Sequence, residues 1–111
     1  MPPQTLKYLR DMLDAAEAIE QQVRGMTHEG FIKTRVVRDA VTWNFCVIGE
    51  ALSQLSKIDD ATTRSLTDSR KIIGLRNQLI HGYGAIDHDI TWKIVTEKLP
   101  ILRRELRALV P

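Results

Sequence analysis

Residues 35–57 read RVVRDAVTWNFCVIGEALSQLSK, and this stretch says more about the architecture than any other part of the chain. Its apolar residues recur at spacings of three, four and seven positions, which is typical of one face of an α-helix. The stretch therefore predicts a helix of about seven turns. The residues of that apolar face are Val37, Val41, Ile48, Leu52 and Leu55.

The other side of this predicted helix is also apolar. Its residues are Val36, Ala40, Trp43, Val47 and Ala51. Apolar residues thus occupy more of the circumference than packing against a single layer requires. A domain of 111 residues buries a smaller fraction of its surface than a larger one, so further burial through self-association is physically favourable. The sequence favours an oligomer, with this second side as the surface that could meet a partner subunit.

A first helix is predicted before this stretch, and it ends before Gly25. Its apolar residues again follow helical spacing. They are Leu6, Leu9, Leu13, Ala16, Ile19 and Val23.

The sequence predicts further helices after the central one. Residues 57–69 are polar and predict a connection with a short helix around 61–66. Asp68 or Ser69 can cap a third long helix, which glycines 82 and 84 end. Asp87 or Asp89 can cap a last helix, which Pro100 must kink or divide. No stretch shows a persuasive strand pattern, so the sequence predicts an all-α, antiparallel bundle of four to five helices within one domain, residues 1–111.

The composition limits the class of protein. With 43% hydrophobic and 27% charged residues, the chain resembles an ordinary globular domain rather than a disordered, fibrous or membrane protein. The formal charge of +2 permits RNA binding without indicating it strongly. Cys46 is the only cysteine, so no internal disulfide can form. Together with the lack of a signal-like segment, this predicts a cytoplasmic protein.

Four side chains with catalytic or binding capacity lie within eight positions, in the segment Arg76-Asn77-Gln78-Leu79-Ile80-His81-Gly82-Tyr83. At 100° per residue, Asn77 and His81 are about 40° apart around a helix, so they share a face. Arg76 and His81 are about 140° apart. The long arginine side chain, a loosened last turn or a second subunit could bring the guanidinium near the imidazole.

Arginine and histidine together suit cleavage of a phosphodiester. A histidine titrates near neutrality and can move a proton, while an arginine can hold two phosphate oxygens with parallel hydrogen bonds. RNA supplies its own nucleophile, the 2′-hydroxyl, so no metal ion or cofactor is required. The alternative interpretation is that Arg76 and His81 are helix-terminal cations, Asn77 is a surface amide and Tyr83 covers the end of the bundle.

With this segment, the sequence resembles those of the HepT-like toxins, formerly grouped as a DUF86 family, within the HEPN superfamily. The resemblance spans most of the chain and includes the R-x4-H-x-Y pattern at residues 76–83. It also includes Ile48-Gly49-Glu50-Ala51, and Ile86-Asp87 followed by Trp92. A further block is Leu99-Pro100-x-Leu102, whereas Asp68-Ser69 replaces the Pro-Trp often found before the third long helix.

The resemblance implies a homodimer in which two R-x4-H-x-Y motifs face one cleft. It implies a metal-independent endoribonuclease that acts as a toxin, with Arg76 and His81 catalytic and Asn77 and Tyr83 supporting. The expected partner is a MntA-like antitoxin, a minimal nucleotidyltransferase that attaches AMP to Tyr83. The alternative function is a non-catalytic HEPN binding module that partners such a nucleotidyltransferase.

Other polar and aromatic residues have two interpretations each. Glu50 and Asp39 lie eleven positions apart, about three turns, and could orient Arg76. Alternatively, Glu50 ties the neighbouring helix by an ion pair, and Asp39 is solvated or paired with Arg35. Base stacking by the tryptophans at 43 and 92 is the weaker hypothesis, and packing is expected instead. The histidines at 28 and 88 lack metal-ligand spacing, so no metal site is predicted.

Overall fold

The structure is a computed structural model that describes the backbone of residues 1–81 and 86–111 and the side chains of residues 1–79 and 86–111. Seven helices and no strand are present in these ranges, which confirms the predicted all-α bundle. The helices are α1 (Pro3–Val23), α2 (His28–Lys33), α3 (Arg35–Ile58), α4 (Asp60–Ser65), α5 (Ser69–His81), α6 (His88–Glu97) and α7 (Leu99–Leu109).

The long helix α3 lies at the centre, where it packs against α1 on one side and α5 on another. Thr5 at the start of α1 donates a hydrogen bond to Asp59 at the end of α3, with 3.4 Å between the oxygens. Near the end of α1, Gln22 accepts a hydrogen bond from Asn44 in the first half of α3. These two contacts establish that α1 and α3 are antiparallel.

The core contains the apolar faces predicted for the two longest helices. Each fully buried leucine, isoleucine or phenylalanine side chain contributes about 1.5–3 kcal/mol to folding. The largest buried apolar side chains are Leu9, Met12 and Ile19 of α1, Phe31 of α2, Val41, Ile48, Leu52 and Leu55 of α3, Leu66, and Leu106 of α7.

The last helix, α7, packs on α1 through ion pairs as well as through buried apolar side chains. Glu17 of α1 accepts hydrogen bonds from Arg103, at 3.1 Å, and from Nε of Arg107, at 2.8 Å. Pro100 divides the C-terminal helix in two, as predicted, with Lys98 between α6 and α7. Asp87 caps α6, since its side chain accepts from the backbone N–H groups of Asp89 and Ile90.

The structure differs from the predicted elements at one point. Helix α2 was not predicted, because its six residues are too few for a periodic pattern; the Thr27 side chain caps it by accepting from Gly30 N at 3.0 Å. Helix α5 extends to His81, so the helix does not end between Arg76 and His81. The expected helix-ending glycines at 82 and 84 lie outside the described residues.

No helix in the described part of the chain combines the length and the apolar character that a membrane crossing requires.

Candidate functional site

Arg76 of α5 lies directly against α3, over Gly49. A Cβ placed on Gly49 would overlap the Arg76 Cβ and lie 2.6 Å from its Cγ, so only glycine permits this close approach. The hydrocarbon stem of Arg76 therefore rests on the α3 backbone, and only 23% of the side chain is exposed.

A chain of hydrogen bonds holds the Arg76 guanidinium at this position. Nη2 of Arg76 forms an ion pair with Oε2 of Glu50. Nη1 donates to Oδ1 of Asn77 at 2.7 Å. The other oxygen of Glu50 accepts from the Gln54 amide at 3.0 Å. The Gln54 hydrogen bond and the nearby Arg76 charge lower the pKa of the Glu50 carboxyl below its ordinary value.

His81 is the last described residue of α5, and its side chain lies outside the described side chains. Because the helix is regular to this point, the Cα atoms of Arg76 and His81 remain about 140° apart around the axis and about 7.5 Å apart along it. Tyr83, predicted as a supporting residue and AMP acceptor, lies outside the described residues.

A groove of about 610 Å³ lies beside the Arg76 guanidinium, between α1 and α3. Cations and carboxylates on its walls are paired with each other: Lys7 with Asp11 at 2.9 Å, and Arg76 with Glu50. Its remaining walls are aliphatic, aromatic, thiol and amide side chains. The lining residues are Lys7, Tyr8, Asp11, Trp43, Cys46, Val47, Glu50, Ala51, Gln54 and Arg76.

The two tryptophans have different environments. Trp92 packs as expected, with its ring 5.1 Å from that of Phe31 and stacked at 6.1 Å on His28. Trp43 lines the groove, and 69% of it is exposed. The packing predicted for Trp43 is therefore wrong for the single chain, because no helix within residues 1–81 and 86–111 covers its side of α3.

Asp39 and Glu50 also differ from each other. Asp39 pairs with Arg35 at 3.5 Å on the exposed surface of α3, as its alternative interpretation predicted. Glu50 contacts Arg76 and thereby joins α3 to α5. Of the two carboxylates, only Glu50 belongs to the candidate site.

The thiol of Cys46 also lines the groove. Burial raises the pKa of the Cys46 thiol above its ordinary value, and the charge of Arg76 opposes this shift. The thiol is therefore a poor nucleophile near neutral pH. Among the side chains that the structure describes, no three His, Cys, Asp or Glu residues lie close enough together to hold a metal ion.

Several contributors to the site, among them Gly49, Gln54 and Tyr8, were missed by reasoning from the sequence. Gly49 was identified only as one of the four residues 48–51 that resemble the family, although a glycine inside a helix often has a packing reason. Gln54 lies one turn after Glu50, so an i, i+4 contact was detectable in principle. Tyr8 comes from α1, and no sequence signal links it to residues of α3 so far along the chain.

Comparison with known proteins gives concordant results. A family model described as "Ribonuclease HepT-like" matches residues 12–109. The chain is 30% identical over 102 residues to "Probable ribonuclease HepT" of Thermococcus cleftensis, which covers 92% of each protein. It is 31% identical over 99 residues to "Putative RNase MJ1380" of Methanocaldococcus jannaschii, covering 89% of this chain and 90% of the relative.

A third relative, "Putative RNase TTE0752" of Caldanaerobacter subterraneus subsp. tengcongensis, is 28% identical over 103 residues, which is 93% of this chain and 91% of that protein. No solved structure matches the chain with significance. The family match covers nearly the whole chain, including α5 and the R-x4-H-x-Y segment. The chain therefore belongs to the HepT-like ribonuclease family.

Proposed function

We propose that this protein is an endoribonuclease that cleaves RNA through Arg76 and His81 and needs no metal ion. The observation that carries the proposal is that Arg76 holds its guanidinium at an open groove, on the same helix as His81. Membership of the HepT-like ribonuclease family supports it, as do the names of the relatives.

In the proposed mechanism, a base removes the proton of the RNA 2′-hydroxyl. The 2′-oxygen then attacks the adjacent phosphorus, and the bond between phosphorus and the 5′-oxygen breaks. His81 as imidazolium gives a proton to the leaving 5′-oxygen, and Arg76 stabilises the negative charge on the phosphate oxygens. The products are a 2′,3′-cyclic phosphate and a 5′-hydroxyl.

The first test is cleavage of labelled single-stranded RNA by the purified protein in the presence of EDTA. The double variant Arg76→Ala/His81→Ala serves as the blank for a contaminating nuclease. Cleavage by the wild type alone supports the proposal. Equal cleavage by the blank, or activity that returns only when a divalent metal is added, contradicts it.

We also propose that the protein acts as a homodimer joined along one stripe of α3, formed by Val36, Ala40, Trp43 and Val47. Val36 is 80% exposed and Trp43 69% exposed, which is unusual for large apolar residues spaced along one helical face. Trp43 and Val47 also line the groove beside Arg76. A second copy that binds to the stripe therefore lies next to Arg76. It can supply its own His81 there, whereas the Cα atoms of Arg76 and His81 of one chain are about 140° apart around the α5 axis.

Trp43→Asp is expected to convert the dimer to a monomer, because it places a charge in the middle of the apolar stripe. Sedimentation equilibrium measures this directly against the chain mass of 12.7 kDa. Ile58→Asp is the matched control, since Ile58 is also exposed and apolar on α3 but lies at its far end. A wild-type monomer, or equal dissociation of both variants, contradicts the proposed interface.

The proposed biological role is that of a toxin controlled by a MntA-like nucleotidyltransferase that attaches AMP to Tyr83. The R-x4-H-x-Y pattern at residues 76–83, through which the sequence resembles HepT-like toxins, supports this role. The added phosphate would bring negative charge to the RNA site and repel the substrate. Cells that express the protein alone are expected to grow slowly. Co-expression of such an enzyme should restore their growth and add the mass of one AMP to the protein, and Tyr83→Phe should prevent both effects. Tight binding of the enzyme without any RNA cleavage would favour the non-catalytic binding module instead.

A further inference from the structure

Glu50 uses both oxygens of its carboxylate within the site. Oε1 accepts from the Gln54 amide one turn along α3, and Oε2 binds Nη2 of Arg76. Nη1 of Arg76 is in turn held by Asn77. Each terminal nitrogen of the guanidinium therefore has one fixed partner, one on α3 and one on α5, and one N–H remaining for another acceptor.

This arrangement restricts a side chain that is otherwise among the most flexible. The stem of Arg76 is fixed over Gly49, and the two hydrogen bonds fix the rotation of the guanidinium plane at its end. A pre-fixed plane reduces the entropy that is lost when phosphate oxygens bind to it. The same carboxylate also has a cost, because its negative charge lies beside the position that a phosphate would take.

If the ion pair between Glu50 and Arg76 had only a structural role, removal of Glu50 would have different effects on stability and on RNA cleavage. The Glu50 side chain is 48% exposed, and exposed ion pairs contribute little to stability. If Glu50 only tied α5 to α3, its removal would lower the melting temperature slightly and change substrate binding and turnover together. The two roles can therefore be separated by experiment.

We propose that Glu50 is the positioning residue of Arg76 in RNA cleavage, fixing the guanidinium plane and limiting how strongly it attracts the RNA phosphate. The proposal rests on the proposed ribonuclease function. It assigns Glu50 no contact with the substrate; its effect passes through Arg76.

Two substitutions separate the orienting effect from the charge effect. Glu50→Gln keeps an oxygen acceptor for Arg76 but removes the negative charge, so KM should fall about three- to tenfold while kcat changes less than about threefold. Glu50→Ala removes the acceptor as well, so kcat should fall about ten- to hundredfold because the guanidinium is no longer held in place. Neither substitution should change the melting temperature substantially.

Asp39→Asn is the matched control for net charge. It removes one carboxylate from the same helix, at an exposed position whose partner is Arg35 rather than Arg76. A fall in KM confined to Glu50→Gln, with kcat lost in Glu50→Ala and recovered in Glu50→Gln, supports the proposal. An equal fall in KM for Asp39→Asn, or wild-type kcat in Glu50→Ala, overturns it.

A readout that does not depend on cleavage distinguishes failure of this inference from failure of the ribonuclease proposal. Phenylglyoxal modifies accessible arginines, and peptide mass spectrometry reports the rate at Arg76. Glu50→Ala is expected to speed that modification several-fold and Asp39→Asn to leave it unchanged. Faster modification with no RNA cleavage by the wild type would refute the ribonuclease proposal while leaving the positioning of Arg76 by Glu50 in place. An unchanged rate in Glu50→Ala overturns the positioning of Arg76 whatever the activity.

Discussion

His81→Ala is expected to lower kcat for RNA cleavage about 10²- to 10⁴-fold, the range for loss of a general acid or base. Arg76→Ala should lower it about 10²- to 10³-fold, because the charge that builds up on the phosphate loses its main donor. Arg76→Lys should recover only part of this loss, since an ammonium group lacks the two-pronged geometry of the guanidinium. Single-turnover cleavage of a labelled RNA measures all three.

The matched control is Arg70→Ala, which removes an exposed arginine from the same helix, six residues before Arg76. Its rate should stay within a few-fold of the wild type. Arg76→Ala should lower the melting temperature by only a few degrees, because the packing of the Arg76 stem is lost but the half-exposed Glu50 carboxylate can be solvated. Loss of activity that merely follows loss of folding, or an equal loss in Arg70→Ala, would count against the assigned roles.

Mixing the two inactive variants extends this experiment to the dimer. If Arg76 of one copy works with His81 of the other, a hybrid of Arg76→Ala and His81→Ala subunits contains one intact site and one empty site. Each hybrid dimer should then have about half of the wild-type activity, and because random exchange makes about half of the dimers hybrid, an equimolar mixture should recover up to about a quarter. If each copy uses its own pair, no hybrid site is intact and mixing restores nothing.

Gly49→Ala is expected to damage both stability and cleavage. The added Cβ would overlap the Arg76 Cβ, which belongs to the fixed part of the stem, so α5 must move away from α3. Overpacking of this kind costs about 1–3 kcal/mol, against a gain of about 0.5–1 kcal/mol from better helix propensity. The net loss of about 1–2 kcal/mol should appear as a melting temperature lowered by several degrees.

Cleavage should fall more than the stability change alone explains. The displacement moves Arg76 itself, and a misplacement of about 1 Å can cost about 10²-fold in rate. The control is Gly74→Ala on α5, where an added Cβ meets nothing within 4 Å. That variant should be stabilised by about 0.5–1 kcal/mol with normal activity. Wild-type melting and cleavage in Gly49→Ala would show that the close contact has no consequence.

The helices themselves were predictable because each long one buries a regular apolar face. The apolar residues of α3 from Val37 to Leu55 follow that rule, as do those of α1. Pro100 divides the predicted last helix because proline has no backbone N–H to donate and its ring clashes with the preceding turn. Helix α2 was not predictable in this way, since it is a single capped segment shorter than two turns. Periodicity needs several turns before it becomes a signal.

The site was predictable in part. The motif placed Arg76 and Asn77 on one helix, and the eleven-residue spacing raised Glu50 and Asp39 as equal candidates to orient the arginine. Their true partners depend on which side of α3 meets α5, and spacing within one helix carries no such information. The exposure of Trp43 agrees with its place on the second apolar side of the central helix, but the packing expected for its ring was wrong, because an apolar residue at helical spacing is usually covered and no helix in the described part of the chain covers this one.

The chemistry assigned to Arg76 and His81 requires a 2′-hydroxyl beside the bond that is cut. In EDTA, the wild type is expected to cleave an all-ribose oligonucleotide, leaving a 2′,3′-cyclic phosphate and a 5′-hydroxyl. It should not cleave the same oligonucleotide when 2′-deoxyribose replaces the ribose at the cleavage position, and His81→Ala should cleave neither. Cleavage of the deoxy-substituted strand at that position, or wild-type cleavage by His81→Ala, would contradict the proposed function.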